Sequence, residues 1–132
     1  MNPANGVIMV TMTKGILWGV IQSPLTIPKR YPYGTPHHVT LQFGVDREDW
    51  IDWESRVFIA STLYEAWNGK IQAVALKLPK DIPCQIQTPH ISISWCDGIK
   101  PYESNTMLAS EFDSQIIVSA YKFKIEFLEW TT

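Results

Sequence analysis

The chain has 132 residues, a single-domain length. Hydrophobic residues at 45% and charged residues at 18% describe a globular protein with enough apolar material for a core. A net charge of −2 excludes a general electrostatic grip on long duplex nucleic acid, while a small nucleotide or a single RNA end remains compatible.

Residues 1–13 are expected to be loosely ordered. The first twelve lack a basic stretch followed by an apolar run, so no secretion signal is expected. No apolar segment approaches the roughly 18–20 residues of a membrane span. A cytoplasmic protein, in the host cell if the chain is viral, with Cys84 and Cys96 as free thiols is the expectation. A metal site built from Cys84, His90 and Cys96 lacks a recognised ligand spacing.

Lys14 to Ile21 reads as a first strand, ended by Ser23-Pro24. Four prolines between Pro24 and Pro36 rule out a helix interior or a central strand, so this stretch is a surface loop. It carries Tyr31 and Tyr33, candidates for stacking on a base. Strand two runs from His37 to Gly44. Within it, period-2 alternation puts His38 and Thr40 on one face, with Val39, Leu41 and Phe43 on the core-seeking face. By the same parity His37 points away from His38 and reads as structural. Asp46 to Trp53 reads as a helical turn.

The next stretch has two readings. Trp53, Val57, Ala60, Tyr64 and Trp67 fall at helical spacing, with Asn68-Gly69 as a C-cap. The same Asn-Gly is a hairpin signal between Val57–Thr62 and Ile71–Leu78, and the hairpin is favoured. Past a loop bounded by Pro79 and Pro83, a strand from His90 to Cys96 repeats the earlier pattern. His90, Ser92 and Ser94 share one face; Ile91, Ile93 and Trp95 share the other. Ser104 or Asn105 is a candidate N-cap for a short helix through about Phe112. Ile116 to Trp130 reads as one long strand, bent near its middle, with Tyr121, Phe123, Ile125 and Phe127 on one face. Many strands and little helix point to an antiparallel α+β domain.

Two of the three histidines thus sit in matched H-x-[ST] strand settings, each just after a proline, Pro36 or Pro89. Either motif alone is more economically read as strand residues on a polar face. Both together are far harder to ascribe to chance. Two imidazoles and two hydroxyls facing one cleft suit acid–base chemistry on a phosphodiester, because an imidazole with a pKa near 6.5 supplies both protonation forms near neutrality.

These motifs resemble those of the two-histidine phosphoesterase superfamily. The local likeness is to the cyclic phosphodiesterase domain of fungal tRNA ligases and related phage and bacterial proteins, where a K-P-x-x-S-N segment follows the second motif. Here it reads Lys100-Pro101-Tyr102-Glu103-Ser104-Asn105. The resemblance implies a two-lobed, pseudo-symmetric α+β fold of antiparallel sheets around a central groove, with His38, Thr40, His90 and Ser92 catalytic. The second motif departs from it in carrying Ser rather than Thr, and the region between the motifs has little helix.

The implied activity is a metal-independent, cofactor-free opening of a cyclic phosphodiester, the 2′,3′-cyclic phosphate of a nucleotide or RNA end. A second reading is a phage-type hydrolase of cyclic oligonucleotide immune signals. A third is a protein that sequesters a nucleotide without hydrolysis. Tyr31, Tyr33, Lys100 and Tyr102 are the candidate substrate-binding residues flanking the motifs, on a protein expected to be monomeric.

Overall fold

A computed structural model of the protein describes residues 13–130. The loosely ordered segment expected over 1–13 lies outside these residues but for Thr13. Seven strands and two short helices follow in order: β1 (Lys14–Ile21), β2 (His38–Asp46), a 3₁₀ helix (Arg47–Trp53), β3 (Val57–Trp67), β4 (Ile71–Lys77), β5 (His90–Trp95), α1 (Glu103–Leu108), β6 (Asp113–Ile116) and β7 (Ala120–Glu129). The protein is mostly antiparallel β, as expected. No helix among the described residues is long and apolar enough to cross a membrane.

All seven strands join one sheet in the order β4-β5-β2-β1-β7-β3-β6, and β3 also pairs with β4. That last pairing closes six strands into a barrel, leaving β6 outside on the far half of β3. Between the motifs the chain forms the β3–β4 hairpin, turning at Asn68-Gly69, where Gly69 takes φ +88°. Asn68 Oδ1 accepts the Lys70 and Ile71 amides, fixing the turn from its own side chain. The barrel interior is filled by Leu17, Val39, Leu41, Phe58, Val74, Leu76, Ile91, Ile93, Phe123 and Ile125. β4 is buried on both faces, because Met107 of α1 covers Ile71 and Ala73 outside the barrel.

Two expected elements differ. The strand expected over Ile116–Trp130 is broken between β6 and β7, and buried Thr62 is the reason. Its hydroxyl donates to the Ile117 carbonyl at 2.9 Å and accepts the Ser119 amide at 2.9 Å, replacing ladder bonds there. The helix expected to start after Ser104 or Asn105 starts at Glu103, with Tyr102 as N-cap and no side-chain cap. Ser104 is inside the helix, fully buried, and its hydroxyl is taken up by the Pro101 carbonyl and by Ser92.

A third difference lies within the motif strands. Leu17 pairs with Gln42 and Trp18 with Thr40, so Leu41 is an extra residue in β2. Gln72 pairs with Ser94 and Ala73 with Ser92, so Ile93 is an extra residue in β5. Each bulge falls three residues after its histidine and reverses the alternation beyond it. Ser94, expected on the His90 face, is therefore fully buried. Phe43 and Trp95, expected in the core, turn to the opposite side, leaving Phe43 56% exposed.

Candidate active site

The pairing of β2 with β5 rests on one residue pair, Val39 with Ile91. Both side chains are fully buried, so the residues flanking them point out of the barrel. Antiparallel register about that pair sets His38 toward Ser92 and Thr40 toward His90. All four line a single cleft of about 670 Å³. The geometry thus brings together the four residues that the motifs single out. Beyond the pair the strands part, and Gln85 fills the gap: its amide bonds the Leu41 carbonyl at 2.9 Å and its Oε1 accepts the Phe43 amide at 3.0 Å.

The two imidazoles have different partners. His90 Nδ1 lies 2.8 Å from the Thr88 carbonyl. A carbonyl only accepts, so this nitrogen carries the proton and Nε2 is left with its lone pair. Burial pushes the His90 pKa down, opposed by the Thr88 bond. His38 Nδ1 instead lies 3.2 Å from His37 Nδ1. The His38 ring packs on Trp18 at 4.1 Å between centroids. Burial first, then the charges of His37 and His90, lower its pKa from 6.5 to about 4.

The hydroxyls also differ. Ser92 Oγ lies 2.7 Å from Ser104 Oγ and 3.0 Å from the Pro101 carbonyl. The K-P-x-x-S-N segment therefore reaches the second motif directly, through Ser104. Ser92 donates to the Pro101 carbonyl when Ser104 donates to it, and to Ser104 when Ser104 takes that carbonyl, so its proton must turn from this triangle to reach an oxygen in the cleft. Thr40 lines the same cleft, and its carbonyl is 3.7 Å from Cys84 Sγ.

The proposed substrate-binding residues divide. Tyr102 lines the cleft and is 70% exposed. Tyr31, Tyr33 and Lys100 do not line it. The Tyr31 hydroxyl accepts the Gly69 amide at 2.8 Å and so holds the β3–β4 turn. Tyr33 exchanges two backbone bonds with Trp95. The Lys100 amide donates to Glu103 Oε2 at the start of α1. The loop that carries the tyrosines is fastened by a polar network. Arg30 stacks 3.4 Å over Trp67 and pairs with Glu65, while buried Gln72 bonds the Pro28 carbonyl, Glu65 and Ser94.

Residues that the sequence reading gave other roles or none also line the walls, among them Trp18, His37, Phe43, Gln85, Trp95 and Asn105. His37 precedes β2, so strand parity does not govern it; it faces the cleft with His38 rather than away. Phe43 and Trp95 stand at the same distance from their histidines, five residues on, a repeat present in the sequence as H-x-[ST]-x-x-[FW]. Trp95 is held from behind by Gly34 at φ +115°, where a Cβ would lie 2.8 Å from the Trp95 ring and 2.9 Å from the Ile93 carbonyl. No other residue fits there.

Among the described residues that line the cleft there is no Asp, Glu, Lys or Arg, and imidazoles are their only source of positive charge. Among the described residues no three His, Cys, Asp or Glu side chains gather as a metal site requires, so Cys84, His90 and Cys96 do not form one. The two cysteines are free, their thiols directed at backbone carbonyls. Comparison with protein-family models, with curated proteins and with solved structures finds no match to this chain.

Proposed function

We propose that the protein is a metal-independent cyclic phosphodiesterase that opens the 2′,3′-cyclic phosphate of a nucleotide or RNA end. One observation carries this reading: His38, Thr40, His90 and Ser92 line one cleft from both sides of the Val39–Ile91 pair. The sheet order supports the two-lobed, pseudo-symmetric fold that accompanies such sites. About that pair, β5-β4-β3 on one side answers β2-β1-β7 on the other. A cytoplasmic location, where such ligands are met, belongs to the same reading.

In this mechanism the phosphate sits between the imidazoles, with Thr40 and Ser92 donating to its non-bridging oxygens. His90 Nε2, unprotonated, takes a proton from water as the water oxygen bonds to phosphorus. The bond to one ribose oxygen breaks, and that oxygen takes a proton from His38. The product is a monoester. Each acid–base role contributes typically 10²–10⁴ in rate. His38→Ala and His90→Ala should each lose that much on a 2′,3′-cyclic nucleotide while keeping the wild-type circular dichroism spectrum. Turnover should persist in excess chelator. Activity abolished by chelator and restored by zinc or manganese would overturn the mechanism.

The paired aromatics favour a second substrate class for the same chemistry. Phe43 and Trp95 flank the cleft from equivalent positions on β2 and β5, an arrangement suited to a ligand with two bases, such as a small cyclic oligonucleotide. A chromatographic panel of cyclic mono-, di- and trinucleotides and a 2′,3′-cyclic-ended RNA separates the two. Binding without turnover on the whole panel would mark a sequestering protein instead.

A further inference from the structure

Each end of the cleft carries an aromatic ring and a carboxamide that the two-histidine scheme leaves unused. Because β2 and β5 are antiparallel about Val39–Ile91, Phe43 and Trp95, each four residues beyond that pair, stand at opposite ends with the motifs between them. Gln85 lines the Phe43 end, where its Oε1 accepts the Phe43 amide at 3.0 Å. Asn105 lines the other end, in α1 beside Ser104, whose hydroxyl meets that of Ser92 at 2.7 Å. Its Nδ2 donates to the Tyr102 carbonyl at 3.1 Å. These backbone partners fix which way each carboxamide lies. An N–H only donates, so it takes the Gln85 oxygen and leaves Nε2, a donor. A carbonyl only accepts, so it takes the Asn105 nitrogen and leaves Oδ1, an acceptor. Both side chains are exposed, and neither Nε2 nor Oδ1 has a hydrogen-bond partner among the described residues.

We propose that Gln85 and Asn105 are base-reading residues of opposite polarity, serving a ligand whose phosphate joins two unlike nucleosides. The proposal rests on the phosphodiesterase reading, since a phosphate held between the motifs puts one nucleoside at each end. The base at the Phe43 end presents a carbonyl to Gln85 Nε2. The base at the Trp95 end presents an exocyclic amine to Asn105 Oδ1. Stacking alone holds any base, because every base has a π face, so choosing among bases takes directed bonds of this kind. At the 6-position of a purine or the 4-position of a pyrimidine, guanine and uracil offer a carbonyl, adenine and cytosine an amine. The donor end therefore takes guanine or uracil, and the acceptor end adenine or cytosine. A 2′,3′-cyclic mononucleotide has one base and engages only one of the two readers.

The test measures affinity by calorimetry on His38→Ala protein, where turnover is suppressed, with the 3′,5′-cyclic dinucleotide of guanine and adenine as probe. Replacing its adenine by unsubstituted purine deletes the 6-amine. Replacing its guanine by 2-aminopurine deletes the 6-carbonyl. Each replacement should weaken binding about three- to tenfold, the effect of one lost hydrogen bond. Asn105→Leu should erase the difference between adenine and purine and leave that between guanine and 2-aminopurine. Gln85→Glu, which keeps an oxygen for the Phe43 amide but no donor, should do the converse. Each variant is judged by a ratio of two ligands, so a general loss of affinity, or the added charge, cancels. Analogues that bind as well as the probe, ratios that survive the variants, or no binding of the probe would overturn the assignment. The expected ratios without turnover by the wild type would refute the phosphodiesterase reading alone. Turnover of the probe without the ratios would refute the base readers alone.

Discussion

At the scale of single residues, His38 and His90 differ in what surrounds the same ring, and this gives a signed pH dependence. Both pKa values lie below the ordinary 6.5, His38 at about 4, because burial disfavours the cation and, for His38, the neighbouring imidazoles add to it. The proposed hydrolysis requires His38 protonated and His90 neutral. Below both pKa values the base is lost; above them the acid is lost, by about tenfold per pH unit. The kcat/KM profile of the free protein should therefore be a bell centred below pH 6.5. A bound diester carries a negative charge, which raises the His38 pKa. The alkaline limb of kcat should consequently lie at higher pH than that of kcat/KM. Initial rates between pH 3.5 and 9 check both. A kcat/KM profile peaking above pH 7.5 would show that His38 and His90 are not the acid–base pair.

At the scale of elements, the bulges in β2 and β5 decide which side chains reach the cleft. Strand parity correctly put His38, Thr40, His90 and Ser92 on one face, since all four precede the extra residue. It failed beyond Leu41 and Ile93, where nothing in the local sequence announces a bulge. The extra residue arises because β2 and β5 must curve to close the barrel. Phe43 and Trp95 are thereby delivered to the cleft, and Tyr31 and Tyr33 are committed to holding the loop and the β3–β4 turn. Stacking on a base is worth roughly 1–3 kcal/mol, so Phe43→Ala or Trp95→Ala should raise KM for the preferred nucleotide by about ten- to a hundredfold. Turnover of a minimal cyclic phosphate lacking a base should change little. Tyr33→Leu, which removes a ring but keeps the backbone bonds to Trp95, should leave KM at the wild-type value. A KM rise confined to the tyrosine variant would return the base to the proline-rich loop.

At the scale of the whole molecule, closure of the barrel was beyond reading. The β3–β4 hairpin was favoured from Asn68-Gly69, but the pairing of β3 with β7 depends on the tertiary contacts of Phe58, Tyr121 and Phe123. No short-range pattern encodes that. Closure fastens β2 to β5 at one residue pair, and the opening beside it is the cleft. Charge is read directly: a net of −2 implies weak attraction for polyanions, and the described residues lining the cleft add no Lys or Arg to offset it. Binding then neutralises about one phosphate, through an imidazole. With the usual counterion slope, KM for a cyclic nucleotide should rise only about threefold between 50 and 200 mM salt. A protein gripping six or more phosphates would lose about a thousandfold or more over that range. Steady-state kinetics at four salt concentrations distinguishes the two, and activity confined to long structured RNA with a steep salt slope would refute a short-ligand site.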